Sequence, residues 1–235
     1  MMPISKYPIV VIACQVFQDL FARFANPETL QKFVFLDYGL HRVPLKLNQA
    51  VQEALDALLE PSMVVLGYGL CGNGLNGILA GKHTLLISRA DDCIAILLGS
   101  YARYMREFNA EAGTYYLTKG WLESGSNPLQ EYQEYIQKYG AKMADFLIDS
   151  LYHNYKRLVF VAHGQADLEK YRPRAQEVAK FCSRWDFRYE EILGSTQFFE
   201  NLLERASAPG QSDENFVVVP PGGELRQEEF LRLET

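Results

Sequence analysis

Along most of this chain, short apolar runs alternate with stretches of helical period. Residues 9–13 (IVVIA), 33–36 (FVFL), 63–66 (MVVL), 84–88 (TLLIS), 114–117 (TYYL), 158–162 (LVFVA), 189–192 (YEEI) and 216–219 (FVVV) have the length and composition of strands. Most are apolar throughout rather than alternating, the mark of strands covered on both faces of a parallel sheet. Between them, Val16, Phe17, Leu20 and Phe21 give helical spacing over 15–23. Leu47, Val51, Ala54, Leu55 and Leu58 form one face of an amphipathic helix over 45–59, stopped by Pro61. The same spacing predicts helices over 93–108, 167–183 and 196–205, and one long or broken helical region over 129–156, interrupted near Gly140. A short helix is expected from Pro27 to about Lys32, since proline suits a first turn. Another is expected from about Asn73 to a closing Gly81. Residues 209–214 read as a solvated loop.

This order groups into three units of strand, polar turn, helix and strand, roughly 8–60, 62–118 and 157–223, with 129–156 as a helical connector. The expected fold is α/β: three βαβ-type units with short parallel sheets covered by helices, pseudo-repeated around a central site, in a single compact domain over 1–235. Ligands of such sheets bind beyond the carboxyl ends of the strands. Those positions hold Cys14, His41, Cys71, Cys93 and His163.

Composition narrows the function classes. The chain has 235 residues, 48% of them apolar, enough for a proper core. A net charge of −6 argues against a nucleic-acid surface, which needs clustered Lys and Arg. No run approaches the roughly 18 apolar residues of a membrane span. The start, MMPISKYPIVVIAC, reads as a buried strand rather than a signal peptide, so a cytoplasmic location is expected. The four cysteines are then free, metal-bound or catalytic rather than paired in disulfides. Their spacing contains no CxxC, so a shared site has to be assembled by the fold.

Two turns concentrate the chemistry. In GYGLCGNG, Cys71 sits among Gly67, Gly69, Gly72, Gly74 and Gly77, which allow backbone or a ligand to come close. In RADDC, Cys93 follows Asp91 and Asp92 at an expected helix start, where an aspartate serves as a cap and a thiolate is favoured. Each residue also has a plainer reading. Cysteine is often buried as a small apolar residue, Asp92 can be only a cap, and Arg89 can pair with Asp91 rather than bind an anionic substrate group. Cys182 reads as structural. The expected metal ligands are Cys14, Cys71 and Cys93, with Asp92 and His41 as proton carriers or support and with Gly69, Gly72, Asn73 and Arg89 as contacts to bound molecules. Three sulfurs widely separated in sequence favour a [4Fe–4S] cluster, with zinc as the alternative. The partner is then a small molecule, an anionic one if Arg89 meets it, with room for an oligomer. Sequence alone leans to an enzyme, a metal-dependent lyase or transferase. Two other classes stay open: a metal-free module in which Gly67–Gly77 cradles an anionic metabolite, and a metal-free cysteine nucleophile, Cys71 or Cys93, assisted by His41 or His163.

At LGYGLCGNGL, ADDCIAILLGS, GTYYLTKGW and VVVPPGG the chain resembles an uncharacterised family catalogued as domain of unknown function 1638. Its members commonly carry His-Asp-Cys where this chain has Asp91-Asp92-Cys93, a departure at 91 and a match at 92 and 93. The three-unit pattern with thiols at strand ends also looks like quinolinate synthase and the diphthamide synthesis enzymes. Those hold an iron–sulfur cluster by three separated cysteines and leave one iron open to substrate, so this second likeness implies a cluster on Cys14, Cys71 and Cys93.

Overall fold

The computed structural model describes residues 7–24 and 30–232. Strands β1 (Ile9–Cys14), β2 (Leu30–Leu36), β3 (Met63–Gly67), β4 (Thr84–Ser88), β5 (Thr114–Thr118), β6 (Arg157–Ala162), β7 (Arg188–Leu193) and β8 (Phe216–Val219) follow the apolar runs. The helices are α1 (Gln18–Phe24), α2 (Pro44–Asp56), α3 (Cys93–Leu98), α4 (Tyr101–Ala110), α5 (Lys119–Ser124), α6 (Pro128–Tyr139), α7 (Ala141–Tyr152), α8 (Gln165–Cys182) and α9 (Gln197–Ser207). The architecture is the expected mixed α/β with mostly parallel strands. The grouping is not the expected one. Instead of three lobes, the strands collect in two sheets and the chain in two compact units, 1–99 with 196–235, and 100–195.

The larger unit holds a five-stranded sheet in the order β2-β1-β3-β4-β8. The first four strands run parallel and β8 is antiparallel to β4. β1 and β3 are buried along their whole length, which explains why their sequences never alternate. α9 packs on β3 and β4, and Phe17, Phe21 and Phe199 meet there edge to face, with centroids 5.2–6.4 Å apart. α2 buries Leu47, Val51 and Leu55, a face worth about 1.5–3 kcal/mol per side chain.

The smaller unit is a three-stranded parallel sheet, β5-β6-β7, with β6 buried throughout. α8 packs on β6 and β7, and α6 and α7 form a pair turned at Gly140, whose φ of +79° suits glycine.

Three local expectations are corrected. Residues 30–32 belong to β2, paired with β1, rather than to a helix; Pro27 itself lies outside the described residues. The helix expected from Asn73 does not form. Cys71, Gly72 and Asn73 are all left-handed (φ +50°, +62° and +68°), which no right-handed helix can follow. The backbone beyond them bonds to the C-terminal segment instead: Gly77 N–H to the Leu225 carbonyl, Leu225 N–H to Ile78 and Ala80 N–H to Gly223. The helix expected over 93–108 is two helices. Gly99 ends α3 with φ +89° and the Ser100 hydroxyl accepts from Arg103 N–H to start α4.

Candidate functional site

The carboxyl ends of β1, β3 and β4 are neighbours in the large sheet, and each is followed at once by candidate chemistry. β1 ends in Cys14, which is buried and whose thiol accepts from the Val16 amide. β3 ends in Gly67 and runs on through Tyr68 to Cys71. β4 ends in Ser88 and runs on through Arg89 to Asp92 and Cys93. Asp37 follows β2, its carboxylate accepting from Gly39 N–H at 2.7 Å.

Backbone pairing continues past the strands and brings the two turns together. Leu70 N–H donates to the Ala90 carbonyl and Cys71 N–H to the Asp91 carbonyl, both at 2.8 Å. Gly69 is required for this approach, because a Cβ there would lie 2.7 Å from the Asp92 carbonyl oxygen and 2.8 Å from that of Ala90. Gly67 serves the same end toward β1, where a Cβ would meet that of Ala13 at 2.5 Å. Gly74 is filled by Leu47. Gly67, Gly69 and Gly74 are thus filled by the protein itself, whereas a Cβ at Gly72 or Gly77 would meet nothing nearer than 3.8 Å.

All four cysteines are free. Burial is the first cause of a raised pKa at each of the three candidates. Cys14 is pushed up to about 11, with Asp37 adding to it and the Val16 amide opposing. Cys71 is pushed up to about 12 by burial, then by Asp92 and Cys14. Cys93 is raised well above the ordinary thiol value by burial, then by Cys71, Asp92 and Cys14. The three thiols therefore lie near enough to act on one another. Cys71 and Cys93 keep partial exposure as residues, whereas Cys14 is buried. The charged side chains that act most strongly on these thiols are themselves acids.

The remaining candidates divide. Asp92 caps α3, its carboxylate accepting from Ile94 N–H at 2.8 Å. Burial nonetheless raises its pKa against the pull of the Ile94 and Ala95 amides. Arg89 donates its backbone N–H to the Asn215 carbonyl, its own carbonyl accepts from the Arg232 guanidinium, and its Nε is buried without a hydrogen-bond partner among the described residues. Gly72 and Asn73 are exposed on the turn. His41 lies in the 3-10 turn after β2, with its side chain outside those described. His163 follows β6 in the smaller unit, as does buried Cys182. Among the described residues no three His, Cys, Asp or Glu side chains stand in ligating geometry for a metal. An open cavity of about 290 Å³, lined in part by Ile9, Leu30, Glu200 and Glu204, lies at the amino ends of β1 and β2 and holds none of the candidates.

Tyr68 was not among the candidates, and the fold makes it one. It is 3% exposed, and its hydroxyl has no hydrogen-bond partner among the described residues. Burial and then Cys14, Cys71, Asp37 and Cys93 raise its pKa. The signal was in the sequence: Tyr68 and Asp37 stand just past a strand end, as the cysteines do. A search confined to thiols and imidazoles passes over both.

Among the described residues no helix is long and apolar enough to cross a membrane. The chain matches no curated protein and no solved structure. Residues 35–203 do match a family, over a span that takes in Tyr68, Cys71, Asp92 and Cys93 and leaves Cys14 outside. With most of its length so matched, the chain belongs to the family described as protein of unknown function (DUF1638).

Proposed function

We propose that Cys14, Cys71 and Cys93 hold a metal centre, a [4Fe–4S] cluster or alternatively zinc, in a cytoplasmic enzyme of the lyase or transferase class acting on small molecules. One observation carries this reading: three thiols from the adjacent ends of β1, β3 and β4 are collected in surroundings made of acids. Thiols so placed stay protonated, and a protonated thiol is a poor nucleophile. That counts against metal-free cysteine chemistry. A soft cation reverses the balance, because it displaces the protons and compensates three thiolates that otherwise repel one another. Such a centre supplies Lewis-acid polarisation of a small molecule. Since no ligand set stands ready, binding includes a movement of the thiols, and Cys71 and Cys93 lie on turns rather than within the sheet. Asp92, tied to the first amides of α3, suits support of Cys93; His41 is the candidate for proton transfer.

The test is anaerobic purification followed by metal and acid-labile sulfide analysis. Iron with sulfide, or about one zinc per chain, is expected in the native protein. Cys14→Ser, Cys71→Ser and Cys93→Ser should each lose the metal, and Cys182→Ser should keep it. Native protein that never holds metal, or metal indifferent to all three substitutions, overturns the proposal.

A further inference from the structure

Tyr68, the residue after β3, carries a phenol that is buried without a hydrogen-bond partner among the described residues. The register fixes its neighbour. Ala13 pairs with Gly67 across β1 and β3, so the next residues, Cys14 and Tyr68, come off adjacent strands side by side at the carboxyl edge of the sheet. Its hydroxyl meets no hydrogen-bond partner, not even one of the thiols whose influence it feels. A buried hydroxyl without a protein partner is costly, and native proteins satisfy most such groups. A phenol is protonated at physiological pH. It is therefore a donor in want of an acceptor. Cys71 and Cys93 are the partly exposed members of the group, and Cys14 is buried.

We propose that Tyr68 is a binding residue of this site, its hydroxyl donating a hydrogen bond to a carbonyl or carboxylate oxygen of a small molecule that enters between the phenol and the thiols of Cys71 and Cys93. This rests on the metal-centre reading above and adds to it the class of molecule taken. An oxygen acceptor is required by the O–H donor. The molecule is small because Tyr68 is only 3% exposed.

The experiment uses anaerobically purified protein, wild-type and Tyr68→Phe, with metal counted first. Each is then titrated calorimetrically with pyruvate, which presents both kinds of oxygen, and with ethanethiol, which presents none. Equal metal content is expected in the two proteins, with pyruvate bound about tenfold or more weakly by Tyr68→Phe and ethanethiol bound equally, since one hydrogen bond to a charged or polarised acceptor is lost. Unchanged pyruvate affinity overturns the inference, as does a wild-type protein that binds ethanethiol but not pyruvate. Loss of metal from Tyr68→Phe overturns it too, by making the residue part of the metal's own support. Wild-type protein without metal overturns the centre, and this inference with it; the metal count distinguishes that failure from the others.

Discussion

Each unit buries a large polar side chain at one end of an interior strand, and the two are treated oppositely. Arg157 opens β6 in the smaller unit and is 5% exposed. Its Nε donates to the Thr114 hydroxyl at 2.9 Å, one terminal nitrogen to Glu190 at 3.1 Å and the other to Glu107 at 2.9 Å. Burial alone would lower its pKa, but Glu107 and Glu190 outweigh that and hold the guanidinium charged. Tyr68, past the end of β3 in the larger unit, is as deeply buried and has no partner. A complete set of partners is the sign of a group that serves the fold. An empty set, at a strand end surrounded by thiols, is the sign of one kept for something that arrives from outside.

That contrast can be broken most forcefully on the Arg157 side. Arg157→Met strands Glu107, which is itself mostly buried, and should cost about 3 kcal/mol in urea unfolding. The Glu190 arm is more exposed and contributes less of this. Next comes the backbone approach that builds the thiol site. Gly69→Ala forces a Cβ against two carbonyl oxygens and should cost about 2 kcal/mol in the same assay. Tyr68→Phe in metal-free protein has the opposite sign. Deleting an unsatisfied buried hydroxyl should stabilise the protein by about 1 kcal/mol, and a loss of stability would mean that the phenol is bonded after all.

The cysteines sharpen the same comparison with the smallest effect. Cys182 in the smaller unit is pushed up to about 12 by burial alone, whereas Cys71 reaches about 12 with Asp92 and Cys14 contributing. Raised values mean fewer thiolates at neutral pH, so iodoacetamide should label Cys14 and Cys71 of the metal-free protein slowly. The rate should go on rising beyond pH 9.0, where an ordinary thiol is half ionised. A plateau near that pH would contradict the crowding of the site. Added metal should protect Cys14, Cys71 and Cys93 and leave Cys182 as it was.

Much of this was legible in the chain. Every strand expected from an apolar run is present, and the α2 face of Leu47, Val51 and Leu55 is buried as its spacing requires. The failures share a cause. At Asn73 local propensity favoured a helix, but three left-handed residues and hydrogen bonds to residues 223–225, far along the chain, decided otherwise. At Gly99 and Ser100 a stop and a start signal lay within an apolar pattern that read as continuous, and the boundary between the units falls there. A sequence does not say what fills the space beside Gly67, Gly69 and Gly74; in the fold it is Ala13, Phe21, Leu47 and the 90–92 backbone.

Hydrophobic patterning by itself determined the elements, since burial on both faces demands uninterrupted apolar strands and burial on one face demands helical spacing. It also placed Cys14, Cys71 and Cys93 at strand ends. Strand order was beyond it, because which parallel strand lies beside which is settled by pairings between residues distant in sequence. Only the order β2-β1-β3-β4-β8 sets the ends of β1, β3 and β4 next to one another. That adjacency turns three separated cysteines into one group and leaves Tyr68 buried among them.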